Sequence, residues 1–170
     1  MKKVFLVLSV FSCLTAFCQM KVAPTDSIFV MGKIKKELRF GIGDIENLPS
    51  KDIGDVVITN HLGEAKGTAK AMKGILVKDL LNSIEYSDAN QKLNSRYYFV
   101  FIASDDYKVV YSWNEIFNSP TGDHVFLVTE KEGKKISAME DRMLIISPTD
   151  TRTGRRYIKG LKTIIVEMVN

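Results

Sequence analysis

The chain has 170 residues, 24 Lys+Arg against 20 Asp+Glu, a formal net charge of +4 and 45% hydrophobic residues. That is enough for one domain that buries about 68–70% of its unfolded surface, and the sequence shows no internal repeat or low-complexity segment. The charge is too even to argue for nucleic acid or an anionic membrane surface as partner.

The first residues predict a cleavable secretory signal. Lys2 and Lys3 supply a positive start, Val4 to Phe11 an apolar run broken only by Ser9, and Thr15-Ala16-Phe17-Cys18 a small-residue exit. The run is shorter than the roughly 20 apolar residues that span a bilayer. Cleavage after Cys18 leaves Gln19 as the new N-terminus. Lipidation at Cys18 is the competing reading, and Phe17 argues against it, because lipoprotein signals resemble a small residue just before the cysteine. Residues 1–18 are thus expected to be a signal peptide, 19–27 a mobile lead-in and 28–170 one domain. The protein is expected to be exported, to a periplasm or outside the cell. Two lysines leave with the signal, so the rest carries 22 basic against 20 acidic residues. Cys13 and Cys18 both lie in the signal. The remaining chain therefore lacks a disulfide, a thiolate metal site and a cysteine nucleophile. His61 and His124 are its only imidazoles, too few for a His-rich metal site.

Past the lead-in, Ile28 to Ile34 predict a strand that Lys35 to Phe40 continue. Asp44 to Pro49 predict a short helical turn stopped by proline. Val56-Val57-Ile58-Thr59 is a β-branched run suited to a buried strand. His61 to Ala71 reads as a loop or loose strand. Val77, Leu80, Leu81 and Ile84 share one face of an amphipathic helix over 78–86. Asp88 to Ser95 is a polar turn region. Arg96 to Ala103 is apolar on both faces, the pattern of a central strand. Ser104-Asp105-Asp106 turns it into a return strand, Tyr107 to Tyr111. Ser112-Trp113-Asn114-Glu115 has capping-box spacing, so a short helix starts at Ser112. His124 to Thr129 predict a strand, and Glu130 to Lys135 a charged hairpin tip. Arg142 to Ser147 predict another strand, stopped by Pro148. Thr149 to Arg156 is an arginine-rich loop before a closing strand from about Lys162. Seven or eight strands with two or three short helices predict an α+β fold on mixed or antiparallel sheets.

Four stretches together resemble the oxidoreductase molybdopterin-binding domain, the catalytic domain of the sulfite oxidase family. They are Gly41 to Pro49, like "DL…LP"; Lys73-Gly74-Ile75-Leu76-Val77-Lys78-Asp79-Leu80-Leu81, like "W-x-G-v-x-L-x-D-L-L"; Ala103-Ser104-Asp105-Asp106-Tyr107, like "A-x-D-G-Y"; and Arg142 to Asp150, like "P-x-R-l-v-v-P-x-D". The resemblance runs over about residues 28–169 and implies the sulfite-oxidase-like fold, with molybdopterin as the family's cofactor. That family holds molybdenum through a cysteine thiolate. The stretch that matches the cysteine-bearing segment is Val57-Ile58-Thr59-Asn60-His61, without a cysteine. Met72 or Lys73 stands where the family has tryptophan, and Asp106 where it has glycine. The resemblance therefore implies the fold without the usual oxo-transfer, and no cofactor is expected.

The candidate ligand-binding residues are Asn60, His61, Arg152, Arg155 and Arg156. His61 stands beside the missing cysteine, as a replacement ligand, a donor to an anion, or a loop residue without a task. Asn60 is a candidate ligand or a turn former. In the family the basic loop before the last strand faces the cofactor's phosphate, and arginine suits that by bidentate bonding. Lys159 and Lys162 extend the cluster, which otherwise reads as solvated surface. Lys66, Lys70 and Lys73 are further candidates for the same pocket. Trp113 reads as core, with a sugar-stacking role as the rival; Asp105 and Asp106 read as a turn rather than an acid–base pair. No residue is assigned to catalysis or to a metal. The expected role is non-catalytic binding of an anionic small molecule or an exported protein. A molybdopterin enzyme with non-cysteine ligation is one alternative. The other is an interaction subunit, which a large exposed apolar patch would distinguish.

Overall fold

A computed structural model describes residues 22–170. The expected signal peptide lies outside the described residues. In the expected lead-in, Thr25 Oγ1 donates to the Leu161 carbonyl (2.7 Å), and the Ala23 carbonyl accepts from Ser104 Oγ (2.6 Å).

In chain order the elements are β1 (Ser27–Gly32), β2 (Leu38–Gly41), α1 (Ile42–Glu46), β3 (Lys51–Thr59), β4 (Ala65–Leu76), α2 (Val77–Leu81), β5 (Tyr97–Ala103), β6 (Lys108–Ser112), α3 (Trp113–Phe117), β7 (Phe126–Lys131), β8 (Lys134–Lys135), β9 (Ile145–Ile146) and β10 (Leu161–Met168). They form two five-stranded sheets. The first has the order β2-β1-β10-β5-β6, and the second β3-β4-β7-β8 with β9 also on β7. Among the described residues, only β1 and β10 pair in parallel; the other pairs are antiparallel. This is the expected α+β fold on mixed sheets.

The larger core lies between the sheets. Ile28, Val30, Phe99, Phe101, Tyr111, Ile164 and Val166 from the first sheet meet Ile75, Leu127 and Ile145 from the second. The opposite face of the second sheet has its own core, with Met72, Leu76, Phe126, Val128, Leu144 and Ile146. Alternation along β4 and β7 sends successive side chains into the two cores, so the second sheet is packed on both faces.

Several expected boundaries shift. The single strand over 28–40 is two antiparallel strands, β1 and β2, because Gly32 turns out of line at φ +105°. The 61–71 segment contributes to β4, a twelve-residue strand. Its polar composition suits a hairpin arm whose outer part, from Ala65 to Thr68, is exposed. The strand over 55–60 is longer but is not buried: β3 is a sheet edge, with Val56 buried and Val57 51% exposed. The helix expected over 78–86 stops after Leu81, where Ser83 Oγ donates back to the Leu80 carbonyl (3.3 Å) and competes with the helical ladder. Ile84 still reaches the core. His124 belongs to a 3₁₀ turn over Pro120–His124, so its strand begins at Phe126. The 142–147 strand shrinks to Ile145–Ile146, because Met143 sits at φ +54°. The capping box at Ser112 forms as expected: Ser112 Oγ accepts from the Glu115 N–H (3.1 Å), and Glu115 Oε2 accepts from the Ser112 N–H (2.8 Å).

Candidate functional site

Three connections converge at one end of the fold: the β3–β4 hairpin turn, the β5–β6 turn, and the arginine-rich connection before β10. Within the last, Thr153–Arg156 form a 3₁₀ turn. This turn docks on the free edge of β3. Thr153 Oγ1 donates to the Val57 carbonyl (2.7 Å) and accepts from the Thr59 N–H (3.0 Å), taking the place of a neighbouring strand. Gly154 is required there, since a Cβ would lie 1.8 Å from the Thr59 carbonyl oxygen. On the other side, the Tyr107 hydroxyl donates to the Arg155 carbonyl (2.7 Å).

The five candidate residues divide. Asn60 builds its own turn: its Oδ1 accepts from the Leu62 and Glu64 N–H groups (2.9 and 3.0 Å), and its Nδ2 donates to Glu64 Oε2 (2.8 Å). It is spent on the hairpin, in keeping with the turn-former reading. His61 is exposed and enters through its backbone carbonyl, which accepts from Arg152 Nη1 (3.0 Å) and Arg155 Nη2 (3.5 Å). Two guanidinium groups therefore surround one oxygen. Neither has a carboxylate partner among the described residues; the hairpin's own acid, Glu64, is held by Asn60 and by Lys66 at 3.7 Å.

Arg156 turns the other way, into the fold. Its Nε donates to Asp150 Oδ2 (2.6 Å), its Nη2 pairs with Asp150 Oδ1, and its Nη1 donates to Glu115 Oε1 (3.1 Å). Its guanidinium also lies 4.7 Å from the centre of the Tyr111 ring. The hydrogen bonds it donates to Asp150 raise its pKa further, against burial. Arg156 ties the turn to α3. Beneath it, the Tyr111 hydroxyl and Ser147 Oγ share a buried hydrogen bond of 3.0 Å, and burial pushes the Tyr111 phenol up to about 12. Ser147, Asp150 and Glu115 are not among the candidate site residues that the sequence offers. The Ser147-Pro148-Thr149-Asp150 stop and the capping box were the available signals.

The other candidates are dispersed. Lys73 pairs with Glu130 (3.2 Å) on the second sheet, and Met72 is buried in the smaller core. Trp113 is half-buried against the larger core, 5.3 Å from Phe117. Asp105 closes the β5–β6 turn by accepting from the Tyr107 N–H (3.1 Å). Asp106 adopts φ +65°, a left-handed conformation that aspartate tolerates better than most residues. Two shallow clefts flank the arginine turn. One, of about 280 Å³, is walled by Asp105, Tyr107, Tyr157 and Lys159. The other, of about 330 Å³, lies between the β3 edge and Pro148, Asp150 and Thr151.

No family model and no curated protein matches the chain. Among solved structures it is similar to the sulfane dehydrogenase SoxCD from Paracoccus pantotrophus, with a TM-score of 0.60 and 10% identity. The match covers 82% of this chain and 37% of that chain, so this chain spans little more than a third of that neighbour's length. The likeness shows the fold, and it fits the sulfite-oxidase-like fold that the four stretches imply. A molybdenum group held by a thiolate does not fit the residues present. Cysteine is absent from Val22 to Asn170, the Asn60 side chain is bonded within its own hairpin, and Gly154 packs against the Thr59 carbonyl. Among the described residues, no helix is long and apolar enough to cross a membrane, and no His/Cys/Asp/Glu group is arranged to hold a metal.

Proposed function

We propose that this is an exported protein of sulfite-oxidase-like fold that binds a small oxyanion at its arginine turn and does not carry out oxo-transfer. The observation behind it is the pair Arg152 and Arg155, aimed at one carbonyl oxygen with no carboxylate between them. Two like charges held together in this way repel each other. An anion placed across their outward N–H groups relieves that repulsion and gains charge-assisted hydrogen bonds. His61, exposed on the same hairpin, offers its ring N–H as a further donor. Export rests on the charged and apolar start of the chain. The non-catalytic reading rests on the missing thiolate.

The test is calorimetric titration of the chain beginning at Gln19 with inorganic phosphate and with sulfate at low salt. Binding is expected, and the Arg152→Ala/Arg155→Ala double variant should weaken it by at least about tenfold. Lys92→Ala, an exposed cation elsewhere, should change little, and circular dichroism should report an intact fold in both. Unchanged affinity in the double variant sinks the site. Near-stoichiometric molybdenum and pterin in protein taken from its native envelope would overturn the non-catalytic reading. An unprocessed N-terminus in that material would overturn export.

A further inference from the structure

An antiparallel or mixed sheet with one face in water normally alternates apolar inside with polar outside. The first sheet does not. Its inner face holds Ile28, Val30, Phe99, Phe101, Ile164 and Val166 in the larger core. The register aligns the outward residues in rows across the strands. Met31, Ile165, Val100 and Val110 form one row, and Phe29, Thr163, Ile102 and Lys108 the next. None of these is buried; Phe29 is 41% and Val110 55% exposed. β5, the strand read from sequence as apolar on both faces, runs through the middle of this surface. The second sheet, by contrast, is packed on both faces.

The surface is margined by cations. Arg39, opposite Phe29 on β2, has its guanidinium 5.9 Å from the Phe29 ring. Lys108 closes the same row at the far edge, on β6. Arg96, next to the Tyr98 end, donates its Nε to the Val169 carbonyl (2.9 Å). None of the three has a carboxylate partner among the described residues, and Glu167 is the acid on the face. A second copy laid strand-along-strand on this face would set Arg39 over Lys108, so the charges disfavour self-packing.

We infer that the outer face of the first sheet docks another protein, one presenting an apolar surface edged by carboxylates. Burying Phe29, Met31, Val100, Ile102, Val110 and Ile165 supplies the affinity. The Arg39 and Lys108 margins orient the partner by pairing with its acids. This surface lies on a different sheet from the β3 edge that carries the anion site, and the two proposals stand independently.

The test is photo-crosslinking of the full chain in its native host, with a photoreactive phenylalanine at Phe29 or at Val110. Leu62, 63% exposed on the β3–β4 hairpin, is the control position. Phe29 and Val110 should give one shared product whose crosslinked peptide is apolar and flanked by Asp or Glu, and Leu62 should not. The purified partner should bind the purified protein, less tightly as salt rises. The Arg39→Glu/Lys108→Glu variant should lose at least about tenfold in affinity while keeping its melting temperature. Crosslinks only to a second copy, only to lipid, equally from Leu62, or none at all would overturn the inference. So would a charge-reversed variant that binds as well as the parent.

Discussion

At the scale of single residues, arginines that look alike in sequence do opposite things. Arg152 and Arg155 stay outside on the His61 carbonyl, while Arg156 goes in to Asp150 and Glu115. The spacing Thr151-Arg152-Thr153-Gly154-Arg155-Arg156 cannot separate them, because the choice depends on Glu115, 41 residues earlier in the chain. The Tyr111 phenol below Arg156 makes a testable prediction. Burial raises its pKa from 10.0 to about 12. Between those values the unfolded chain has released the phenolic proton and the folded protein has kept it. Stability contributed by the neutral phenol is therefore complete below pH 10 and lost as pH rises through about 12, on the order of 2 kcal/mol. Tyr86, also pushed to about 12 by burial, adds to the loss in the same window. Urea unfolding across that range should show the decline, and Tyr111→Phe should make it shallower. An equal slope in the variant would mean that the shift is not at Tyr111.

At the scale of elements, α3 is one turn and a half of helix and cannot be stable alone. It is held by its cap at one end and by Arg156 on its side. Glu115 serves both: Oε2 closes the capping box, and Oε1 accepts from Arg156. Ser112→Ala should then cost about 1 kcal/mol, the usual worth of such a cap. Glu115→Ala should cost more, about 2 kcal/mol, since it also weakens the clamp on a partly buried guanidinium. Thermal or urea unfolding of the two variants checks this, and equal losses would dismiss the second role. The capping box was legible because it is local. The docking of Thr153 on the β3 edge was not, since it spans 94 residues and looks in sequence like any polar loop.

At the scale of the whole molecule, two sheets of five strands enclose one core, and a second core backs the sheet that bears the arginine turn. The chain from Gln19 onward has no cysteine, so this packing carries the stability without a covalent link. A reducing agent should leave the melting temperature of protein taken from its native envelope unchanged, and a reductant-dependent drop would show that Cys18 is retained and engaged. The open face of the first sheet belongs to this scale too. The doubly apolar pattern of β5 announced a strand needing cover on both sides. Which neighbours would share that face was fixed by the parallel pairing of β1 with β10 and the antiparallel pairing of β10 with β5.

Local chemistry determined what the sequence alone could establish. The β-branched and aromatic runs, the turn at Asp105–Asp106, the capping box and the missing thiolate follow from residue types at short spacing, and with the order of four stretches they were enough for the fold. Only the tertiary structure decided that β3 is an edge, that Asn60 is used up by its hairpin, and that Arg156 points inward. It also decided that Arg152 and Arg155 meet at one carbonyl. Those outcomes depend on which strands become neighbours. Side chains of similar intrinsic preference are then sorted by partners tens of residues away, whose charge and burial exist only once the sheets have assembled.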